Sequence, residues 1–191
     1  MTRDQAWQIV QDFTPSESLR KHMLAVEAAM VWYAKHFEED TELWAITGLL
    51  HDFDYESHPN LGPDGHPFWG VNYLRENTDL PETVLEAILG HYRESGTVRH
   101  TLMAKALFAV DELCGLITAA CLVRPDKSIV LLETTSVLKK LKDKAFARGV
   151  SREDIRIGVS ELEIDLEQHV SNTINAMREH ANVLGLGLSA N

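Results

Sequence analysis

Leu43-Trp-Ala-Ile-Thr-Gly-Leu-Leu-His51-Asp52 is an apolar run that closes on an imidazole and a carboxylate. Leu43, Ile46, Leu49 and Leu50 recur at helical steps, and Asp40 stands where an N-cap belongs, so the run reads as a buried helix. Such a helix is a poor place for His51 and Asp52, because an unpaired buried charge costs several kcal/mol unless something compensates it. A bound cation compensates both residues at once. His22, His66, His91 and Asp111 occupy similar settings, and together these positions read as one metal site assembled from several helices. Imidazole with carboxylate suits Mn, Fe, Co, Ni or Zn, whereas Mg and Ca prefer all-oxygen sites. Consecutive helical residues diverge by about 100°. His51 and Asp52 therefore aim apart, and the two oxygens of Asp52 make it the candidate bridge between two ions.

Outward from this run, helical periodicity dominates and strand signals are nearly absent. The spacing predicts a short helix over Asp4 to Phe13, then a long one capped by Thr14 or Ser16 and running to Phe37. Ser57, Pro59, Asn60, Gly62, Pro63, Gly65 and Pro67 crowd a long loop from Asp54 to Pro67, a length that is often functional. Helices are expected from Pro67 to Glu76, from Pro81 to Tyr92, from Leu102 to Leu122 and from Lys127 to Lys144. Ser151 and Asp154 resemble a capping box, and a final helix is expected from Glu161 to Leu184. The expectation is an all-α single domain of 191 residues. A metal-binding core spans 16–122, helices of 123–184 pack on it, and 185–191 form a flexible tail.

Bulk properties narrow the classes. At 45% hydrophobic and 25% charged, the composition is that of an ordered globular chain. The net charge of −11 argues against nucleic-acid polymers and anionic membranes as partners. It also means that metal ions or a local basic patch must attract any phosphorylated ligand. Cys114 and Cys121 lie seven residues apart on one helical face, too far to bridge, which points to reduced thiols and a cytoplasmic protein. The N-terminus lacks a signal-peptide run, and the apolar stretch Leu102–Val123 carries Lys105, Asp111 and Glu112, which suits a buried helix better than a membrane span.

The residues then carry a resemblance. His22, His51-Asp52 and Asp111, in that order and in helices, resemble the H…HD…D signature of the HD-domain superfamily over about Leu19 to Leu116. His66-Pro-Phe-Trp-Gly-Val-Asn-Tyr-Leu74 resembles the HPxxGxxxL element of two-metal members, and Ala87-Ile-Leu-Gly-His91 resembles the helix supplying their next histidine. The resemblance implies a helical-bundle fold of HD type and metal-dependent phosphohydrolase chemistry. It also implies that His22, His51, Asp52 and Asp111 hold one ion, and Asp52, His66 and His91 a second. Leu49-Leu-His-Asp-Phe-Asp-Tyr-Glu56 and Ala109-Val-Asp-Glu-Leu-Cys-Gly-Leu116 also look like short bacterial proteins described only as predicted HD-superfamily hydrolases. The cyclic-dinucleotide phosphodiesterase branch differs: it has Gly and Lys where this chain has Asp54 and Tyr55, and a second histidine where Tyr92 follows His91.

The expected function is hydrolysis of a phosphate ester or anhydride, in a small nucleotide-like substrate, by metal-activated water. Asp52, or Asp54 beside it, is the expected proton acceptor; Asp54 is equally readable as a support for a ligand histidine or as a polar turn after the helix. His58, before Pro59, rivals His66 as a ligand. Tyr55 is a candidate pocket residue. Arg124 and the basic cluster of Lys139, Lys140, Lys142, Lys144 and Arg148 are candidates for phosphate, against the plainer reading of a solvated face. His36, His100, His169 and His180 read as surface or packing residues. Two other functions fit the same ligands: a di-iron oxygenase and a non-catalytic nucleotide- or metal-binding module. A homodimer is compatible with the sequence.

Overall fold

A computed structural model of the chain describes residues 1–188, and these form nine α-helices and no strand. α1 (Arg3–Phe13) starts at a reciprocal Thr2–Gln5 capping box, and α2 (Glu17–His36) starts at Ser16, whose hydroxyl accepts from the Leu19 amide. α3 (Thr41–Leu50) begins at Asp40, whose carboxylate accepts from the Glu42 and Leu43 amides. The Ser16 and Asp40 caps are among those the sequence marks; the Thr2–Gln5 box is not. α3 lies along α2, and Gly48 permits the approach: a Cβ there would sit 3.0 Å from the Glu27 backbone. Arg3 grips buried Glu27 with two hydrogen bonds of 2.5 and 2.8 Å, tying α1 to the same pair.

After α3 the backbone continues through turns and a loop to α4 (Phe68–Asn77) and α5 (Glu82–His91). α6 (Leu102–Leu122) is the central helix, with thirteen of its residues buried. α2, α5, α7 (Thr134–Lys142), α8 (Arg152–Glu161) and α9 (Leu166–Glu179) all pack against it. Cys114 and Cys121 are free and buried within α6. Among the described residues, no helix is long and apolar enough to cross a membrane.

Three C-terminal expectations are corrected. The segment 127–133 is not helical: Pro125 cannot continue α6, Asp126 accepts from the Ser128 amide, and Lys127 adopts φ +48°. The helix expected from Glu161 to Leu184 is shorter at both ends, running as α9 only from Leu166 to Glu179. α8 stops at Glu161, Glu163 turns left-handed at φ +55°, and Asp165 caps α9 through the Glu167 and Gln168 amides. The tail expected to be flexible from Gly185 is anchored at Leu186, which is buried, donates to Ala181 and accepts from the Ile129 amide. Residues 189–191 of that tail lie outside the described residues.

The C-terminal helices are pinned to the core by one buried polar relay. His169 on α9 donates Nε2–H to the Ala109 carbonyl of α6 at 2.9 Å, and its Nδ1 accepts from the Tyr33 hydroxyl of α2 at 2.5 Å. That pattern requires neutral imidazole, and burial pushes the His169 pKa down from 6.5 to about 4. The unfolded chain therefore binds a proton that the folded chain refuses between these two values. This histidine's stabilising contribution is complete above pH 6.5 and is lost as pH falls from there to about 4, by up to about 3 kcal/mol. Chemical denaturation of wild type and His169→Gln from pH 7.5 to 4 is expected to show the wild-type advantage flat above pH 6.5 and shrinking below it.

Candidate metal centre

The six residues singled out by the sequence meet at one place, although five separate segments deliver them. His22 sits inside α2, His51 and Asp52 immediately follow α3, and His66 ends the long loop. His91 is the last residue of α5, and Asp111 lies mid-way along α6. The loop is drawn back onto α3 by the His58 amide donating to the Asp54 carbonyl (2.7 Å) and the His66 amide to the His58 carbonyl (2.9 Å). His58 itself stacks on Trp69 with ring centroids 3.6 Å apart, so the rivalry between His58 and His66 falls to His66.

The Asp52 carboxylate divides between two groups. Its Oδ2 lies 3.5 Å from His51 Nε2 and 3.8 Å from His22 Nε2; its Oδ1 lies 3.3 Å from His66 Nε2 and 3.4 Å from His91 Nε2. Asp111 Oδ1 joins the first group, 3.0 Å from His22 Nε2 and 3.5 Å from His51 Nε2. His22, His51 and Asp52 thus form one set able to hold an ion, and Asp52, His66 and His91 another. Ligand atoms about 2.1 Å from a common ion stand roughly 3.0–3.4 Å apart for right-angle to tetrahedral coordination. Three of the six spacings fall in that range and two more lie at 3.5 Å.

The far sides of three rings are fixed. His51 Nδ1 donates to the Gly48 carbonyl at 2.8 Å, His91 Nδ1 donates to the Ile88 carbonyl, and His66 Nδ1 donates to Asp54 Oδ1 at 2.8 Å. Each bond sets the tautomer that leaves the Nε2 lone pair facing the group. Asp54 is thereby located: its other oxygen accepts from the Gly70 amide at 2.9 Å, and it is buried. Its expected role as a proton acceptor is corrected, since both oxygens are occupied behind His66.

Electrostatics ask for a cation here. His51 Nε2 is buried and makes no hydrogen bond, an omission that costs a native structure about 1–3 kcal/mol. Burial disfavours the His51 imidazolium, yet the Asp52 and Asp111 charges outweigh it and lift the pKa to about 9. His91 is raised in the same way, against burial, by Asp52. Burial opposes the ionised forms of Asp52 and Asp111 too, but the neighbouring histidines hold both well below the usual carboxylate range. A divalent ion supplies the positive charge that protons would otherwise bring, and it satisfies the orphaned nitrogen. The residues fit one or two such ions.

The group lies at the floor of an open pocket of about 340 Å³. Tyr55, expected at the pocket, lines it and packs edge-on against His66 at 5.2 Å. Arg124, Lys139, Lys140, Lys142 and Lys144 do not, which corrects their assignment to substrate binding. α6 carries the chain roughly 16 Å from Asp111 to Leu122, and Arg124 beyond it is spent on Asp126 in two 2.9 Å bonds. Lys140 covers the Phe146 ring of its own hairpin. The basic residue that does line the pocket is Arg93, held at 3.0 Å by Asp154 and 3.2 Å by Glu153 of α8. Glu112 lines it too; burial and then the Asp111 charge push its carboxyl up to about 7. Arg93 directly follows the His91-Tyr92 pair, so its proximity was in the sequence; its direction was not.

Gly70 decides whether the second group forms. A Cβ there would lie 2.6 Å from the Asp54 carboxyl carbon and displace the acid that orients His66. Gly70→Ala and Asp54→Asn are each expected to weaken the second ion about 10- to 100-fold. The first ion should stay bound. Metal stoichiometry and calorimetric titration would read the difference, and equal loss at both positions would contradict the division described above.

The family model of the HD domain matches residues 19–116. No curated protein and no solved structure matches the chain. The matched stretch is half the chain and contains every candidate ligand from His22 to Asp111, and the fold is all-α, as the family's is. Members of this family are generally metal-dependent phosphohydrolases. The chain therefore belongs to the HD-domain family.

Proposed function

We propose that this protein is a metal-dependent phosphohydrolase that cleaves a phosphate ester or anhydride in a small molecule. The observation that carries the reading is the shared Asp52: one carboxylate serves two ligand groups at the floor of an accessible pocket. Divalent ions at these ligands would lower the pKa of a water and neutralise charge on phosphoryl oxygens. The chain's own contributions follow from its geometry. Fixed Nδ1 bonds keep the histidine Nε2 atoms aimed inward without reorganisation. Arg93 stands at the pocket wall with Nη1 held by Asp154 and Glu153, so that, unlike Arg124, whose Nε and Nη2 both go to one acid, it keeps its Nε side for the outer phosphoryl oxygens. Tyr55 and Leu61 stand half-exposed at the mouth, where a small substrate would enter.

The test begins with metal analysis of tag-free protein, then add-back of Mn, Fe, Co, Ni and Zn with a panel of mono-, di- and cyclic nucleotides and simple phosphate esters. Metal-dependent phosphate release is expected, with His51→Ala and Asp52→Ala each reducing kcat/KM by about 1,000-fold or more. Turnover that survives both substitutions after metal removal would overturn the reading. Turnover of no phosphate compound, together with oxygen consumption by an anaerobically prepared iron form, would replace it with the oxygenase alternative. Arg93→Ala is expected to raise KM roughly tenfold or more with a smaller change in kcat, and Arg93→Lys to recover part of the loss.

A further inference from the structure

Asp111, Gly115, Thr118 and Leu122 follow one another at four-, three- and four-residue steps, so they form one stripe along α6. Glycine weakens a helix interior relative to alanine, and no close packing explains this one. A Cβ on Gly115 would find only Val150 Cγ2, at an ordinary 3.8 Å. What distinguishes Gly115 is that it lines two cavities. One is the pocket over the metal ligands; the other is a cleft of about 390 Å³ between α2, α6 and the segment 184–186. His22 is the other residue common to both.

The second cleft has a different chemistry from the first. Leu184, Leu186 and Leu122 give it apolar walls, with the Thr118 side chain among them. Its one Lys side chain, Lys21, is paired with Glu17 at 2.5 Å, so the cleft offers no unpaired cation to a second phosphate. Leu122 is 52% exposed along it, apolar surface that a ligand would cover.

We propose that this cleft receives the alcohol portion of the substrate, an uncharged aryl or branched-alkyl group, and that Gly115 lacks a side chain so that the ester linkage can run from the cleft to the metal ligands. The proposal rests on the phosphohydrolase reading. In the reaction the bond between phosphorus and the alcohol oxygen breaks and a water oxygen bonds to phosphorus. One proton of that water ends on the alcohol and the other stays on the phosphate. The substrate is then a phosphate monoester whose specificity lies in the apolar half, away from Arg93.

Two measurements test this, one without turnover. Calorimetric or NMR titration with 2-naphthol, which needs neither metal nor reaction, should show binding to wild type. Gly115→Leu and Thr118→Trp should each weaken it by about tenfold or more, a ratio read directly as Kd. Gly115→Ala introduces no clash, and it should fold normally and bind 2-naphthol with intermediate affinity. The ratio of kcat/KM for 2-naphthyl phosphate over methyl phosphate should favour the naphthyl ester in wild type and fall about tenfold in Gly115→Leu. Binding of 2-naphthol at equal strength by wild type and both bulky variants overturns the cleft assignment. Hydrolysis of methyl phosphate with no naphthol binding overturns it too, and leaves the phosphohydrolase reading standing. Naphthol binding that Gly115→Leu abolishes, with neither ester hydrolysed, supports an apolar ligand in the cleft and removes the phosphohydrolase reading instead.

Discussion

The structure is organised around a single carboxylate. Asp52 has two oxygens and must serve two sets of imidazoles, Oδ2 toward His51 and His22, Oδ1 toward His66 and His91. To place those oxygens, α3 must end where it does, and its last carbonyls must be free to hold His51. The loop must then return His66 to within reach. The hydrogen bonds that Asp54 accepts from His66 and Gly70, and those donated by the His58 and His66 amides within the loop, close that return path. Helix packing could be satisfied by many arrangements of α2, α3, α5 and α6. Only those that bring five nitrogen and oxygen groups around Asp52 satisfy the electrostatics of the buried acids.

The sequence made much of this legible, and for identifiable reasons. Helix starts were readable wherever a short polar side chain could accept amide hydrogens, as at Ser16, Asp40 and Ser151. The ligands were readable because an imidazole and a carboxylate close one apolar helix together and further His and Asp residues follow in one ordered pattern; a lone buried histidine says less, as His169 shows by satisfying both nitrogens with neutral partners. The C-terminal third was harder. The break at Glu163 rests on a left-handed residue without glycine, and the cap at Asp165 lies within a stretch whose apolar spacing runs on past it. Leu186 sits in a glycine-rich tail that looks loose in composition, yet it closes onto Ile129 through one backbone bond and buries its side chain.

The surroundings of the site were legible only in part, because charge alone gives no direction. The lysines of α7 and the turn after it attracted attention as a run, but an amphipathic helix puts its charges on the outer face, where Lys139 and Lys142 are exposed, and Lys144 is exposed in the turn beyond. Arg93 is a single residue on a three-residue turn. Its approach to the pocket is set by Glu153 and Asp154, about sixty positions later in the chain. Nothing local in the sequence encodes that pairing. Gly70 is the opposite case: it stood out as part of a pattern, and the structure supplies the physical cause, since only a hydrogen at that position leaves room for the Asp54 carboxylate.

This division separates what the family core does from what the rest of the chain adds. Every candidate metal ligand lies within residues 19–116, so the core alone accounts for the ion-binding chemistry. The rest of the chain supports the pocket from behind its wall, which apart from Asp154 is built from the core itself. α8 supplies the two acids that hold Arg93, the Ser151 amide donates to Glu112 at 3.0 Å, and Leu184 with Leu186 walls the neighbouring cleft. The His169 relay to Tyr33 and Ala109 fixes these added helices against α2 and α6, the two elements that carry His22 and Asp111. The core thus supplies the candidate ligands and most of the pocket wall, while the added helices brace that wall and close the neighbouring cleft, joined through α6.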